Sequence, residues 1–88
     1  MPTLMIFHDV DDVEHWLRSP RREEIFGPLG FTVRTFVDPA KTNHVGLIVD
    51  VPDMDTFQRM MESDVATDEM KFDGVRPETL RMLVESYY

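Results

Sequence analysis

The chain has 88 residues, the size of one domain, and we expect residues 1–88 to fold around a single core. It has no cysteine, which excludes disulfides, thiolate nucleophiles and cysteine-ligated metal centres. Nine basic and seventeen acidic residues give a net charge of −8, which argues against a nucleic-acid partner. The sequence has no signal-peptide pattern and no apolar run near the roughly 20 residues of a membrane helix, so we expect a cytoplasmic protein with no membrane partner.

The first third of the sequence predicts a strand followed by a helix in two pieces. Residues 3–8 form a short, β-rich apolar run that is typical of a central strand. Asp9 or Asp11 can cap the helix that follows, whose apolar side chains recur at i, i+3 and i+4. The Ser-Pro pair at 19–20 favours a new helix start, and the Gly-Pro pair at 27–28 favours its end. We therefore expect a bend near residue 19.

A β-hairpin is predicted next. Residues 31–37 alternate between apolar and polar side chains, and residues 45–51 do so again. The segment between them, residues 38–43, is polar and carries the Asp, Pro and Asn that favour turns. Two alternating segments around such a turn are typical of paired antiparallel strands.

The last part of the chain predicts a second helical region and a fourth strand. Asp53 can cap a helix with apolar residues on one face, Ser63 can restart it, and Gly74 can end it. Residues 79–86 alternate again and predict the last strand. The resulting order, β-α-β-β-α-β, predicts an α+β fold of the ferredoxin-like type: a four-stranded antiparallel sheet, strand order 4-1-3-2, with both helical regions on one face.

The opposite face of this sheet mixes apolar and charged side chains. The apolar part of this face is expected to expose roughly several hundred Å², which is large for a monomer. The two positive and two negative charges on the face can pair across a two-fold axis. We therefore expect a homodimer joined through the sheet faces, the alternative being a solvated face. The residues expected at this interface are Arg34, Phe36, Ile48, Asp50, Arg81, Leu83 and Glu85.

The pattern of turns and apolar positions resembles the dimeric α+β barrel superfamily, in particular small proteins related to antibiotic-biosynthesis monooxygenases. The resemblance is carried by Gly30 and Phe31 at the start of the second strand and by the turn at 38–43. It continues through a helix with a central Phe57 and with Ser63 at its end. The resemblance implies a homodimer with a cavity between helices and sheet, and it covers nearly the whole chain.

The densest cluster of potential metal ligands lies after the first strand. It contains His8, Asp9, Asp11, Asp12 and His15, side chains that suit zinc, iron or manganese. The alternative is a capped helix start with a solvated acidic face, and we assign no metal ligand and no cofactor. Since no nucleophile, base and orienting group can be aligned from spacing, we also assign no catalytic residue.

Several side chains are candidates for a small-molecule site between the helices and the sheet. Histidine can act as a general base, tryptophan can line an apolar pocket, and methionines form an adaptable wall. The alternative is that they simply fill the core. The candidate ligand-binding residues are His8, His15, Trp16, Met60 and Phe72.

Three functions follow as hypotheses. The first is a small dimeric protein that binds an apolar or aromatic molecule. The second is a cofactor-independent monooxygenase-like enzyme acting on an aromatic or polyketide-like substrate. The third is a structural or regulatory interaction module. An apolar cavity with a converging histidine would favour the first two, and a filled core would favour the third.

Overall fold

The computed structural model describes residues 1–87. Its elements are a helical region in two pieces after each of the first and third strands, with short 3₁₀ turns at two of the junctions. In chain order they are β1 (Thr3–Asp9), α1 (Val13–Arg18), α2 (Arg21–Phe26), a 3₁₀ turn (Gly27–Leu29), β2 (Thr32–Val37), β3 (His44–Asp50), α3 (Met54–Met61), α4 (Asp64–Asp73), a second 3₁₀ turn (Pro77–Thr79) and β4 (Arg81–Val84).

The four strands form one antiparallel sheet in the order β2-β3-β1-β4, which confirms the predicted fold and strand order. The long strands β1 and β3 lie at the centre, with Met5 opposite Ile48. On its other side β1 pairs with β4, where Met5 lies opposite Leu83. None of the helices formed by residues 1–87 combines the length and the apolar character that a membrane crossing requires.

Side-chain caps start three of the helices. Asp53 accepts a hydrogen bond from the backbone N–H of Thr56, and Ser63 accepts one from Ala66, as predicted. The cap of α1 is Asp12, so the prediction of Asp9 or Asp11 was wrong. Asp9 still belongs to β1, which extends one residue further than its apolar run indicated.

Two element ends differ from their sequence predictions. Gly27 keeps helical backbone angles, and the chain continues as a 3₁₀ turn with Pro28 near its start. The first N–H groups of a helix have no partner within it, so a proline there loses no hydrogen bond. The left-handed cap is Gly30 instead, with φ of 78°. The last strand is shorter than predicted, because Pro77–Thr79 form a 3₁₀ turn before β4 begins.

The core lies between the helices and the central strands. Along β1 the side chains alternate, so that Leu4 and Ile6 are buried beneath the helices while Met5 and Phe7 are exposed on the other face. Along β3 the buried side chains are those of Val45, Leu47 and Val49. On the edge strands, Val33 of β2 is partly buried against this core, whereas Val37 of β2 and Met82 and Val84 of β4 remain exposed.

Candidate functional site

A small, partly open cavity lies between the helices and the sheet. Its volume is about 50 Å³, enough for a few water molecules at roughly 10–15 Å³ each. Its wall is mostly aliphatic, aromatic and methionine side chains, with three polar groups at one end. The lining residues are Ile6, His8, Trp16, Arg22, Ile25, Phe26, Leu47, Phe57, Met60, Met61, Ala66, Glu69, Met70, Val75 and Leu80.

Each polar lining residue occupies a position that its element turns toward the core. His8 follows Leu4 and Ile6 on the buried face of β1, where side chains repeat every second residue. Arg22 lies three residues before Ile25 on α2, within the apolar stripe of that helix. Glu69 follows buried Ala66 by three residues on α4.

Arg22 connects the polar end of the cavity to three helices. Its Nη1 donates to Asp73 Oδ2 at 2.9 Å, and its Nη2 donates to the backbone oxygen of Trp16 at 2.6 Å. The guanidinium carbon also lies 4.3 Å from the centroid of the Trp16 ring. Both partners of the ion pair are buried, so a single side chain fixes the positions of α1, α2 and α4 relative to one another.

The buried carboxyl groups of Glu69 and Asp73 lie one turn apart on α4. Burial, a hydrogen bond to Asp73 and the negative charge of Asp73 raise the pKa of Glu69 to about 8. Glu69 therefore carries a proton at neutral pH and can donate it to Asp73. Burial lowers the pKa of His8, which keeps the imidazole neutral at the same pH. With Arg22 and Asp73 both charged, the cluster has no net charge.

Three atoms of this cluster are buried without a hydrogen-bond partner among residues 1–87. They are Nδ1 of His8, Oε1 of Glu69 and Oδ1 of Asp73. Two ionised carboxylates cannot hydrogen-bond to each other, because neither has a donor. A protonated Glu69 can donate a hydrogen bond to one carboxylate oxygen of Asp73. Since buried polar groups are normally paired, the atoms left over at a cavity indicate room for a hydrogen-bonding guest or for water.

The structure divides the five predicted ligand-binding residues into two groups. His8, Trp16 and Met60 line the cavity, and the rings of His8 and Trp16 meet edge to face at 5.8 Å. His15 and Phe72 lie outside it. There His15 Nε2 bonds to the backbone oxygen of Phe72 at 2.7 Å, and both side chains are exposed to solvent.

Sequence reasoning missed the charged part of the site, namely Arg22, Glu69 and Asp73. A signal was present for two of them, because Arg22 lies four residues before buried Phe26 and Glu69 lies three residues after buried Ala66. Asp73 lies a further four residues along the same face of α4. A charged side chain within an apolar stripe marks a buried ionic contact. The spacing within a helix does not reveal its partner, and Arg22 and Asp73 are 51 residues apart.

The acidic segment after β1 is dispersed in the structure. Asp9 pairs with His44, Asp11 pairs with Arg76 at 2.9 Å, and Asp12 caps α1. Among residues 1–87 no group of three or more potential ligand side chains is placed to hold a metal ion. The pKa of the exposed His44 is raised by its hydrogen bond to Asp9 and the charge of that carboxylate.

A second candidate surface is the sheet face opposite the helices, which we call the open face. Its exposed apolar side chains include Met5, Phe7, Phe36 and Leu83, the last of these 58% exposed. Gly46 lies between Phe7 and Phe36 in neighbouring strands, which leaves a shallow groove there. The strand registers place all seven residues predicted for a dimer interface on this face or at its rim.

Only some of the charged side chains on the open face have hydrogen-bond or ion-pair partners within residues 1–87. Asp50 accepts hydrogen bonds from the hydroxyls of Thr3 and Thr32, and these bonds, Thr3 first, lower its pKa. Neither Arg34 nor Arg81 forms an ion pair within residues 1–87. Two arginines are thus free to pair with a partner's acidic groups.

Comparison with solved structures identifies the fold. An antibiotic biosynthesis monooxygenase superposes with a TM-score of 0.67 at 13% identity, covering 100% of this chain and 99% of the other. SnoaB, a cofactor-independent oxygenase from Streptomyces nogalater, gives 0.70 at 17% identity, covering 97% and 90%. A dimeric ferredoxin-like protein from an uncultured marine organism gives 0.53 at 9% identity, covering 97% and 91%.

These likenesses confirm the predicted resemblance in fold. The chain is a small ferredoxin-like protein with the architecture of the antibiotic-biosynthesis-monooxygenase-like proteins. No protein-family profile and no curated protein sequence matches it. Because fold alone does not determine function, the activity has to be argued from the cavity and the open face.

Proposed function

We propose that the protein is a homodimer, joined through its open sheet faces, that binds a small and mainly apolar molecule between helices and sheet. The observation that supports this most directly is an apolar cavity with unpaired polar atoms of His8 and Glu69 at one end. Ligand sites commonly have this composition, with a few polar groups that orient a guest within an apolar wall.

The size of the cavity limits its ligand. A volume of about 50 Å³ suits a molecule of a few heavy atoms, and a larger guest requires the wall to move. Three methionines form part of that wall, Met60, Met61 and Met70. Their unbranched side chains can change rotamer at little cost, so the wall can adapt to guests of different shape.

Methionine methyl groups offer a direct test of ligand binding. We expect small apolar probes such as xenon or ethanol to shift the ¹³C-methyl NMR signals of Met60, Met61 and Met70, which line the cavity. Met5 and Met82 do not line it and serve as controls within the same sample. If only these exposed methionines respond, the cavity does not bind ligands.

A filled-cavity variant completes this test. Ala66 lines the cavity and is buried, so Ala66→Val places extra methyl groups in the empty space. We expect Ala66→Val to abolish the probe-induced shifts while the protein stays folded. Persistence of the shifts in this variant would show that the probe binds elsewhere.

The dimer is supported by the apolar and charge composition of the open face. Exposed Phe36 and Leu83 lie on a face that also carries Arg34 and Arg81, neither of which is paired within residues 1–87. In a two-fold interface the arginines of one subunit can meet Glu85 of the other. Light scattering should give about twice the 10.3 kDa mass of one chain, and a mass near 10.3 kDa at micromolar concentration would contradict the dimer.

The second candidate function is a cofactor-independent monooxygenase-like activity on an aromatic or polyketide-like substrate. It is favoured by the likeness to SnoaB and by the presence of His8, Trp16 and Glu69 around one cavity. Such a substrate needs a much wider cavity, which only rearrangement of the methionine wall can supply. Oxygen uptake with a polycyclic phenol, absent in Ala66→Val, is the result expected of such an enzyme.

A further inference from the structure

We infer that the ligand of the central cavity carries an ammonium group on a small apolar body. This deepens the proposed function and rests on it, since it assumes that the cavity binds a small molecule. The charges of the buried cluster carry the inference.

The cluster contains more acidic groups than basic ones. Arg22, Glu69 and Asp73 are all at least nine-tenths buried, with exposures of 7%, 7% and 1%. Arg22 directs its two described hydrogen bonds to Asp73 and to the backbone of Trp16. His8 is the remaining buried polar side chain among residues 1–87, and burial lowers its pKa, so it supplies no charge at neutral pH. With both carboxyls ionised, the cluster therefore lacks one positive charge.

A proton on Glu69 supplies that charge when the cavity is empty. The groups that act on Glu69 are Asp73 on its own helix, Arg22 and Arg21 on α2, and the surrounding low-polarity wall. Removing a proton from a group with a pKa of about 8 costs about tenfold in affinity at pH 7 and almost nothing at pH 9. An organic cation can thus replace the proton at modest cost.

The unpaired atoms match the donors of an ammonium group. Oε1 of Glu69 and Nδ1 of His8 belong to side chains that line the cavity, and both atoms lack a partner. Oδ1 of Asp73 also lacks a partner, although Asp73 does not itself line the cavity. An ammonium group has three N–H donors and no acceptor, whereas a carboxylate ligand would add a further negative charge to a buried acidic pair.

The apolar body would lie against the rest of the cavity wall. Phe26, Phe57 and Leu47 are among the lining residues, and their side chains offer no hydrogen bonds. The volume of about 50 Å³ suits a short alkyl chain. The predicted class is therefore a small alkylammonium ion.

The test compares ethylammonium chloride, ethanol and sodium acetate at constant ionic strength. Binding is followed by the methyl signals of Met60, Met61 and Met70 at pH 7 and pH 8.5. We expect ethylammonium to bind at least tenfold more tightly than ethanol, acetate not to bind, and the affinity for ethylammonium to rise several-fold at pH 8.5. Calorimetry in two buffers of different protonation enthalpy should show release of about one proton at pH 7.

Glu69→Gln separates recognition of charge from folding. Glutamine keeps the shape of the protonated acid, so the variant should remain folded while losing the preference for ethylammonium and its pH dependence. Asp68→Asn removes the same charge from an exposed neighbour on α4 and should bind as the wild type does.

The remaining outcomes distinguish failure of the ammonium inference from failure of the proposed small-molecule binding. If ethanol or xenon shifts the cavity methionines but ethylammonium shows no preference, or if Glu69→Gln retains that preference, the ammonium inference is wrong and small-molecule binding stands. If neither xenon nor any of the three compounds shifts these methionines, both are wrong.

Discussion

Arg22 Nη1 lies 2.9 Å from Asp73 Oδ2, and this buried ion pair joins α2 to α4 across 51 residues of chain. The same guanidinium donates to the backbone of Trp16 and stacks over its ring. One side chain therefore links the two helical regions and forms the polar end of the cavity. Its removal should affect both stability and the site.

Breaking this ion pair should be costly because it leaves a buried carboxylate without its partner. We expect Arg22→Met to lower the free energy of unfolding by about 3–5 kcal/mol in urea titrations. The double variant Arg22→Met with Asp73→Leu removes both charges and should recover most of that loss.

The matched control is the exposed pair between Arg18 and Glu14 on α1. Arg18→Met should change the free energy of unfolding by less than about 1 kcal/mol, as is usual for surface pairs. A double variant no more stable than Arg22→Met alone would show that packing, and not an uncompensated charge, accounts for the effect.

Trp16 is a core residue as well as a cavity wall, with 1% of its surface exposed. Trp16→Ala should lower the free energy of unfolding by about 3–5 kcal/mol, because it leaves a large void and removes the ring beneath Arg22. Leu17→Ala on the exposed side of α1 is the control and should cost much less. Near-wild-type stability of Trp16→Ala would mark the ring as a site lining only.

Glu69 makes stability depend on pH. Its pKa rises from 4.5 to about 8 on folding, so the folded state holds a proton that the unfolded state releases. Its contribution is complete below pH 4.5 and is lost as the pH rises to about 8, with a slope of up to about 1.4 kcal/mol per pH unit.

The measurement is the difference in unfolding free energy between the wild type and Glu69→Gln from pH 5 to pH 9. The unfolding free energy of the wild type should fall steadily relative to that of Glu69→Gln up to about pH 8, and the difference should then level off. The raised pKa of His44 also favours the folded state at low pH, and the lowered pKa of His8 opposes it below pH 6.5. Both act equally in the two proteins and cancel in the difference, so a flat difference would contradict the buried, protonated state of Glu69.

The dimer model predicts the effect of reversing one charge on the open face. Arg81→Glu should shift the equilibrium toward monomer, because it replaces a cation that is unpaired within residues 1–87 by a further acidic group on the face that carries Asp50 and Glu85. Arg59→Glu makes the same charge change on exposed α3 and should leave the mass unchanged. A wild-type dimer that persists in Arg81→Glu would remove this interface from consideration.

Gly46 provides an independent test of the same surface. A Cβ at this position would lie 3.5 Å from the backbone oxygen of Ile6 and 3.8 Å from Cβ of Phe7, which is ordinary contact. Gly46→Val should therefore leave the subunit folded, and a β-branched residue suits a strand. By filling the groove it should weaken a sheet-to-sheet dimer in sedimentation experiments. An unchanged dimer would show that this groove is not part of the contact.

Local patterns determined most of the architecture. Alternation along β2 and β3 predicted a hairpin, and the caps at Asp53 and Ser63 predicted where α3 and α4 begin. The order of elements then left one topology, because crossovers are right-handed and connections are short. The errors fell at element ends, such as Asp12 and Gly30, where neighbouring residues offer nearly equal caps.

The sequence by itself determined the elements, their order and the two unlike faces of the sheet, because these depend on residue spacing within a few turns or strands. Only the tertiary structure brought Arg22 to Asp73, enclosed Glu69 and His8 around one small cavity, and left His15 and Phe72 outside it. Such contacts join residues far apart in the chain, and their energies depend on burial, which no local pattern specifies.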